Sequence, residues 1–180
     1  NLLALGYWGS LSTSYNCRPL CEINGGTLAI NSCNLGESTG CYAVVSVRAG
    51  TLVSAGNINV GGTQTPAGTG VLNLSGTGVV DVAADVSLGA STSGYGTLNL
   101  NGGTLIARNI VKGGGLSGIL SFNGGRYQPR TEGRTLSGLT AAYVSTNGAV
   151  IDTSLANYAV AQNLLHAPGA PSVDGGLVKL

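Results

Sequence analysis

Apolar and polar residues alternate in short runs along the whole chain, and each run breaks at glycine. Leu98 and Leu100 flank Asn99 in one run, and Val45 with Val47, Leu72 with Leu74, and Leu120 with Phe122 repeat the arrangement. A period of two is that of a pleated strand with one face buried. Each pair is followed by a glycine-rich step and another apolar residue, as in GTLNLNGGTL, which ends on Leu105. The phrase returns as EINGGTL, VRAGTL, NLSGTGV, SFNGGRY and STNGAVI, ending on Leu28, Leu52, Val79, Tyr127 and Ile151, and a last fragment ends on Val178. Recurrence every ~22 to 27 residues is the mark of a repeat architecture, in which one unit is too small to bury its own apolar face.

Within each unit a second short strand follows the anchor and again meets glycine, as in CNLGE, NINVGG, DVSLGA and NIVKGG. Stacking such units at the ~4.8 Å strand spacing aligns the anchors in one inward column and Val47, Leu74, Leu100 and Phe122 in another. Asn24, Asn101, Asn123 and Asn147 would form a column of amides at the turn, where Asn and Gly tolerate left-handed backbone. An antiparallel sandwich accounts for the strands but not for the return of the whole Asn-Gly-Gly phrase. The pattern predicts an all-β parallel β-helix of about six to seven coils over 21–180, with an apolar N-terminal extension at 1–20.

Composition narrows the function. Of 180 residues, 31 are Gly, 8% are charged and 43% are hydrophobic, so the chain is neither a charged disordered tail nor rich in helix formers. A net charge of +1 gives no electrostatic reason to expect nucleic acid or an anionic membrane as partner. The longest apolar runs are far too short to span a bilayer. The chain opens on Asn1, which reads as a processed product. Cys17, Cys21, Cys33 and Cys41 all lie in the first quarter, and their spacings of x3, x11 and x7 do not form zinc knuckles. Two disulfides are expected, with free buried thiols the next reading and zinc the last, and of the three connectivities the local one, Cys17 with Cys21 and Cys33 with Cys41, is preferred. Disulfides imply an oxidising, extracytoplasmic setting.

GTLNLNGGTL, GILSFNGGRYQPR, NGAVIDT and VDGGLVKL resemble, in that order, the autotransporter-associated β-strand repeat of bacterial surface proteins. The similarity is good over about residues 70 to 180, looser over 21 to 69, and absent from 1 to 20. The resemblance implies a right-handed parallel β-helix, exported and displayed or released outside the cell, serving as stalk, adhesin or scaffold. It carries no catalytic residues to transfer, and the four cysteines are not part of its pattern.

The residues agree with a non-enzymatic role. A glycosidase wants clustered carboxylates. Asp81 and Asp85 are the one close pair and read as solvated turn residues; Asp152 reads as a packing or turn feature. His166 has no adjacent nucleophile, and no phosphate loop, dinucleotide fingerprint or calcium-binding repeat appears, so neither cofactor nor metal is expected. Arg126, Arg130 and Arg134 are the one basic concentration, either an exposed face paired with Glu132 or a contact for anionic glycans. The alternative function is therefore a glycan-binding or glycan-cleaving β-helix. At the ends, Leu2, Leu3, Leu5, Tyr7 and Trp8 on one side and Leu177 and Leu180 on the other are apolar and do not read as caps. Two expectations stand side by side: the N-terminal segment covers its own first coil, or the ends of neighbouring copies stack head to tail into a filament.

Overall fold

The structure, a computed structural model, describes residues 1–6 and 16–180. Its strands, β1 to β19 in chain order, make only parallel pairings, and the described residues contain no helix. Three ladders form three walls. The first wall stacks β2 (Leu20–Ile23), β5 (Tyr42–Val47), the front of β8 (Thr69–Val82), the front of β10 (Tyr95–Ala107), β12 (Ser117–Phe122), β15 (Ala141–Val144) and β18 (Leu164–His166). The second stacks β3 (Thr27–Ile30), β6 (Thr51–Ser54), the rear halves of β8 and β10, β13 (Arg126–Pro129), β16 (Ala149–Ile151) and β19 (Leu177–Lys179). The third runs through β1 (Leu2–Leu5), β4 (Ser32–Leu35), β7 (Ile58–Val60), β9 (Asp85–Leu88) and β11 (Asn109–Lys112). A separate pair, β14 (Arg134–Leu136) with β17 (Tyr158–Val160), extends that side beyond β11. The chain is thus an all-β, parallel β-solenoid of about seven turns.

The alternating pattern explains the core. Register places Val45, Leu72, Leu98, Leu120 and Ala142 in one inward column, and Val47, Leu74, Leu100 and Phe122 in the next. Both columns are completely buried, and so are Leu52, Val80, Leu105 and Tyr127 on the second wall. Each side chain of these columns stands in register with its counterpart one coil away, and together they form one continuous apolar cluster.

Two anchors shift from their expected places. Leu105 pairs with Val80, so Val79 faces outward; Thr77 and Gly78 occupy the place that Gly103 alone fills in the next coil, and the extra residue turns the following side chain over. In the last coil Lys179 takes the inward register opposite Ile151, and Val178 lies opposite the outward Val150. The expected turn column of amides is also corrected. Asn24, Asn101 and Asn147 are exposed, and the link there is the Asn147 amide donating to Asn123 Oδ1 at 3.2 Å. Amide ladders form on the strands instead: Asn59 Nδ2 donates to Asn34 Oδ1 and Asn99 Nδ2 to Asn73 Oδ1, each at 2.8 Å.

Glycine sets the corners where two coils come closer than a Cβ permits. Gly36 has φ +76°, and a Cβ on it would lie 2.5 Å from the Thr69 carbonyl oxygen. A Cβ on Gly94 would overlap the Gly61 carbonyl oxygen, whereas one on Gly133 meets nothing within 4 Å. Gly94→Ala should therefore destabilise by about 3 kcal/mol, through overlap of backbone with backbone. Gly133→Ala should cost about 1 kcal/mol, for its positive φ alone. Leu98→Ala, which empties one rung of a buried column, should cost about 2 to 5 kcal/mol. Urea unfolding of the three variants checks the order.

Candidate functional site

Arg126, Arg130 and Arg134 do not form one basic face. Arg126 stands on the outer side of the second wall, in register with Val150, and its Nη1 donates to Asp152 Oδ2 at 3.1 Å. Arg130, just past β13, ion-pairs with Asp81, two coils back on the same wall. Arg134 opens β14 on the third wall and is exposed. Glu132 is not their partner. Their carboxylates lie 26 and 49 residues away in sequence, separations that local reading does not join.

Asp81 and Asp85 are likewise not free turn residues. Arg108 grips Asp85 with both arms of its guanidinium, Nε to Oδ1 at 2.8 Å and Nη2 to Oδ2 at 2.6 Å, a fork geometry that strengthens the pair and raises the Arg108 pKa. Beside them the Tyr158 hydroxyl donates to Asn109 Oδ1, and its ring meets Tyr127 edge to face at 5.4 Å. Burial pushes the Tyr127 phenol far above its ordinary range and Tyr158 up to about 12. Neither phenol has the ionisation behaviour of a working acid or base near neutral pH. His166 Nδ1 lies 3.5 Å from Asp174 Oδ2.

Two buried carboxylates organise loops. Glu37, 2% exposed, accepts from Thr63 N at 3.0 Å, Thr63 Oγ1 at 2.9 Å and Gln64 N at 3.0 Å, tying the loop of one coil to that of the next. Its signal in the sequence is slight: an acid in NLGES one coil before a Gly-Thr-Gln loop. Asp152 accepts from Ser154 N at 2.9 Å, Gln128 Nε2 at 3.2 Å and Arg126. The Ser154 hydrogen bonds first, and Arg126 after them, hold its carboxyl below the usual carboxylate range.

The cysteines are joined otherwise than local spacing suggested. Cys17 bonds to Cys41, and Cys21 and Cys33 are free thiols. Cys17 and Cys41 occupy equivalent places one coil apart: the Tyr42 amide donates to the Cys17 carbonyl at 2.8 Å, and the Cα atoms lie 4.6 Å apart. Stacking brings them together, while Cys21 is carried into β2 and turned inward. The bridge therefore staples one coil to the next.

Of the apolar end residues, Leu3 and Leu5 pack against the core from β1, and Leu2 is exposed. Tyr7 and Trp8 lie outside the described residues. Leu177 and Leu180 are about half exposed. The last turn carries an open cavity of about 390 Å³ lined in part by Arg134, Thr153, Asn157, Tyr158 and Lys179. Among the described residues no three His, Cys, Asp or Glu side chains converge as a metal site, and no helix is long and apolar enough to cross a membrane.

Removing the bridge with Cys17→Ser and Cys41→Ser together should lower stability by about 3 kcal/mol, since the pair closes a loop of 24 residues. Reductant should lower the wild type comparably and leave the double variant unmoved. Asp152 gives a pH effect of defined sign. Its folded pKa is depressed, so its contribution is present above the unfolded value near ~4 and is lost as pH falls through the folded one. Asp152→Asn should unfold earlier at neutral pH and lose less on acidification than the wild type, as read from urea midpoints. Comparison of the chain with protein-family models, with curated proteins and with solved structures returned no match.

Proposed function

We propose that this chain is a non-enzymatic structural element of an extracellular or cell-surface assembly, of the stalk or scaffold kind that autotransporter-associated repeats build, and that its coils continue by end-to-end stacking. The observation that carries the reading is the interior. Aliphatic columns fill all three walls, and the charged side chains outside are largely committed to partners in other coils. Such a molecule offers stiffness and length rather than a cleft. The Cys17–Cys41 bridge supports an oxidising setting. What favours stacking is the apolar side chains of Val160, Leu165, Leu177 and Val178, which are exposed.

Sedimentation and negative-stain electron microscopy over a range of concentrations test the stacking. Filaments of uniform width with an axial repeat of ~34 Å, seven rungs at ~4.8 Å each, are expected. Leu177→Lys should shorten or abolish them while the monomer stays folded. Monomers at every concentration would remove self-stacking from the reading.

The glycan reading keeps one specific observation. Arg134 and Lys179 line the same open cavity and neither is ion-paired among the described residues, so they favour an anionic sugar such as a uronate. Binding to a polyuronate that Arg134→Ala removes would support it, and equal binding by that variant would exclude this site.

A further inference from the structure

On the outer side of the second wall, register sets Val79, Thr104, Arg126, Val150 and Val178 in one outward column, one residue from each of five successive coils. Four steps of ~4.8 Å make that column ~19 Å long, parallel to the solenoid axis. Beside it, where the first wall turns into the second, lies an open cavity of about 440 Å³, lined by Thr77, Thr104, Arg126, Val150 and Val178 over glycine corners. The corners keep its floor low. A Cβ on Gly103 would lie 2.3 Å from the Gly78 carbonyl oxygen, and one on Gly76 2.7 Å from that of Arg48, so no side chain can rise there.

The lining changes character along its length. Thr77 is exposed and Thr104 half-exposed, and neither hydroxyl has a hydrogen-bond partner among the described residues. Arg126, whose side chain is 43% exposed, gives one N–H to Asp152 at 3.1 Å, which leaves further donors for a ligand. Asp152 also balances the guanidinium, the one charged group in the lining, so the groove suits a neutral ligand better than an acidic one. Beyond Arg126 the column turns apolar at Val150 and Val178. The backbone of the floor is already committed: the Thr77 amide donates to Arg48 O at 3.1 Å, Gly124 to Gly148 O at 2.8 Å and Gly125 to Leu100 O at 3.1 Å. An extended peptide, which adds to a sheet through main-chain hydrogen bonds, therefore finds no ladder here. Recognition falls to hydroxyls, guanidinium N–H groups and two apolar surfaces.

We propose that this groove binds a neutral β-linked glucan of the cellulose type, lying parallel to the solenoid axis. Such a chain is an extended ribbon whose rings advance by roughly one rung each, so successive sugars meet successive coils. Its hydroxyls exchange hydrogen bonds with Thr77 and Thr104 and accept from Arg126, while the C–H faces of its rings lie on Val150 and Val178. A coiled, α-linked glucan of the amylose type carries the same hydroxyls and falls out of step with the coils. The groove is separate from the cavity of Arg134 and Lys179, whose cations call for a uronate. It lies on a lateral face and does not depend on end-to-end stacking.

The test is saturation-transfer nuclear magnetic resonance of the full chain with cellohexaose, which reads binding whether or not the protein assembles, with maltohexaose as the comparison. Cellohexaose should bind, and maltohexaose at least about tenfold more weakly, the loss of one or two hydrogen bonds. Thr104→Val keeps the side-chain shape and removes the hydroxyl, and should weaken cellohexaose about fivefold; adding Thr77→Val should bring the loss to about 25-fold. Urea midpoints, unchanged for these surface positions, separate lost contacts from lost folding. Arg134→Ala should bind cellohexaose as the wild type does, which distinguishes this groove from the uronate cavity. Absence of cellohexaose binding, equal affinity for maltohexaose, or full affinity in the folded double threonine variant would each overturn the proposal.

Discussion

The backbone hydrogen bonds between one coil and the next govern this molecule. They hold successive strands at ~4.8 Å in parallel register, so every side chain has its counterpart of the neighbouring coil directly above or below it. A residue is therefore chosen against its own column. Inside, Leu98 must fit between Leu72 and Leu120; outside, Asn99 finds the Asn73 amide at hydrogen-bonding distance. The glycine corners belong to the same constraint, because the backbones of adjacent coils approach there more closely than a side chain allows.

Charges follow this vertical logic as well. Glu22 pairs with Arg48, Asp85 with Arg108 and Asp152 with Arg126, each with a partner 23 to 26 residues away, and Asp81 reaches Arg130 over 49. Pairs open to solvent on at least the arginine side contribute little individually, about 0 to 1 kcal/mol. Their effect on register is larger, since a coil slipped by one place would set these groups against apolar neighbours or like charges. A chain with so few charged residues uses most of them to align coils.

Much of this was legible from the sequence, and the boundary of legibility is physical. The strand pairs around Asn99 and Ser121, the number of coils and the inward columns all follow from a period of two nested in a longer repeat. The reading missed where a loop changed length. One extra residue at the Thr77–Gly78 step turned Val79 outward, and alternation gives no warning of a bulge. It missed the Cys17–Cys41 pairing because proximity there arises from stacking, while the preference for local loops weighed only distance along the chain. Glu37's role and the carboxylate partners of Arg126 and Arg130 escaped for the same reason: each contact spans one or two coils.

The nesting of the repeat also governs the order in which the chain can acquire its structure. Almost every pairing joins residues one turn apart, so a new coil needs only the coil before it as a template, and folding can advance along the chain as a moving front. The Cys17–Cys41 staple lies in the opening turns and needs none of the chain beyond the second turn for its partners to meet. A front advancing towards the C-terminal coils would find these two coils already locked covalently before the later ones had formed. Growth from that template would then resist backsliding, and the free energy of each added rung would bias movement in one direction.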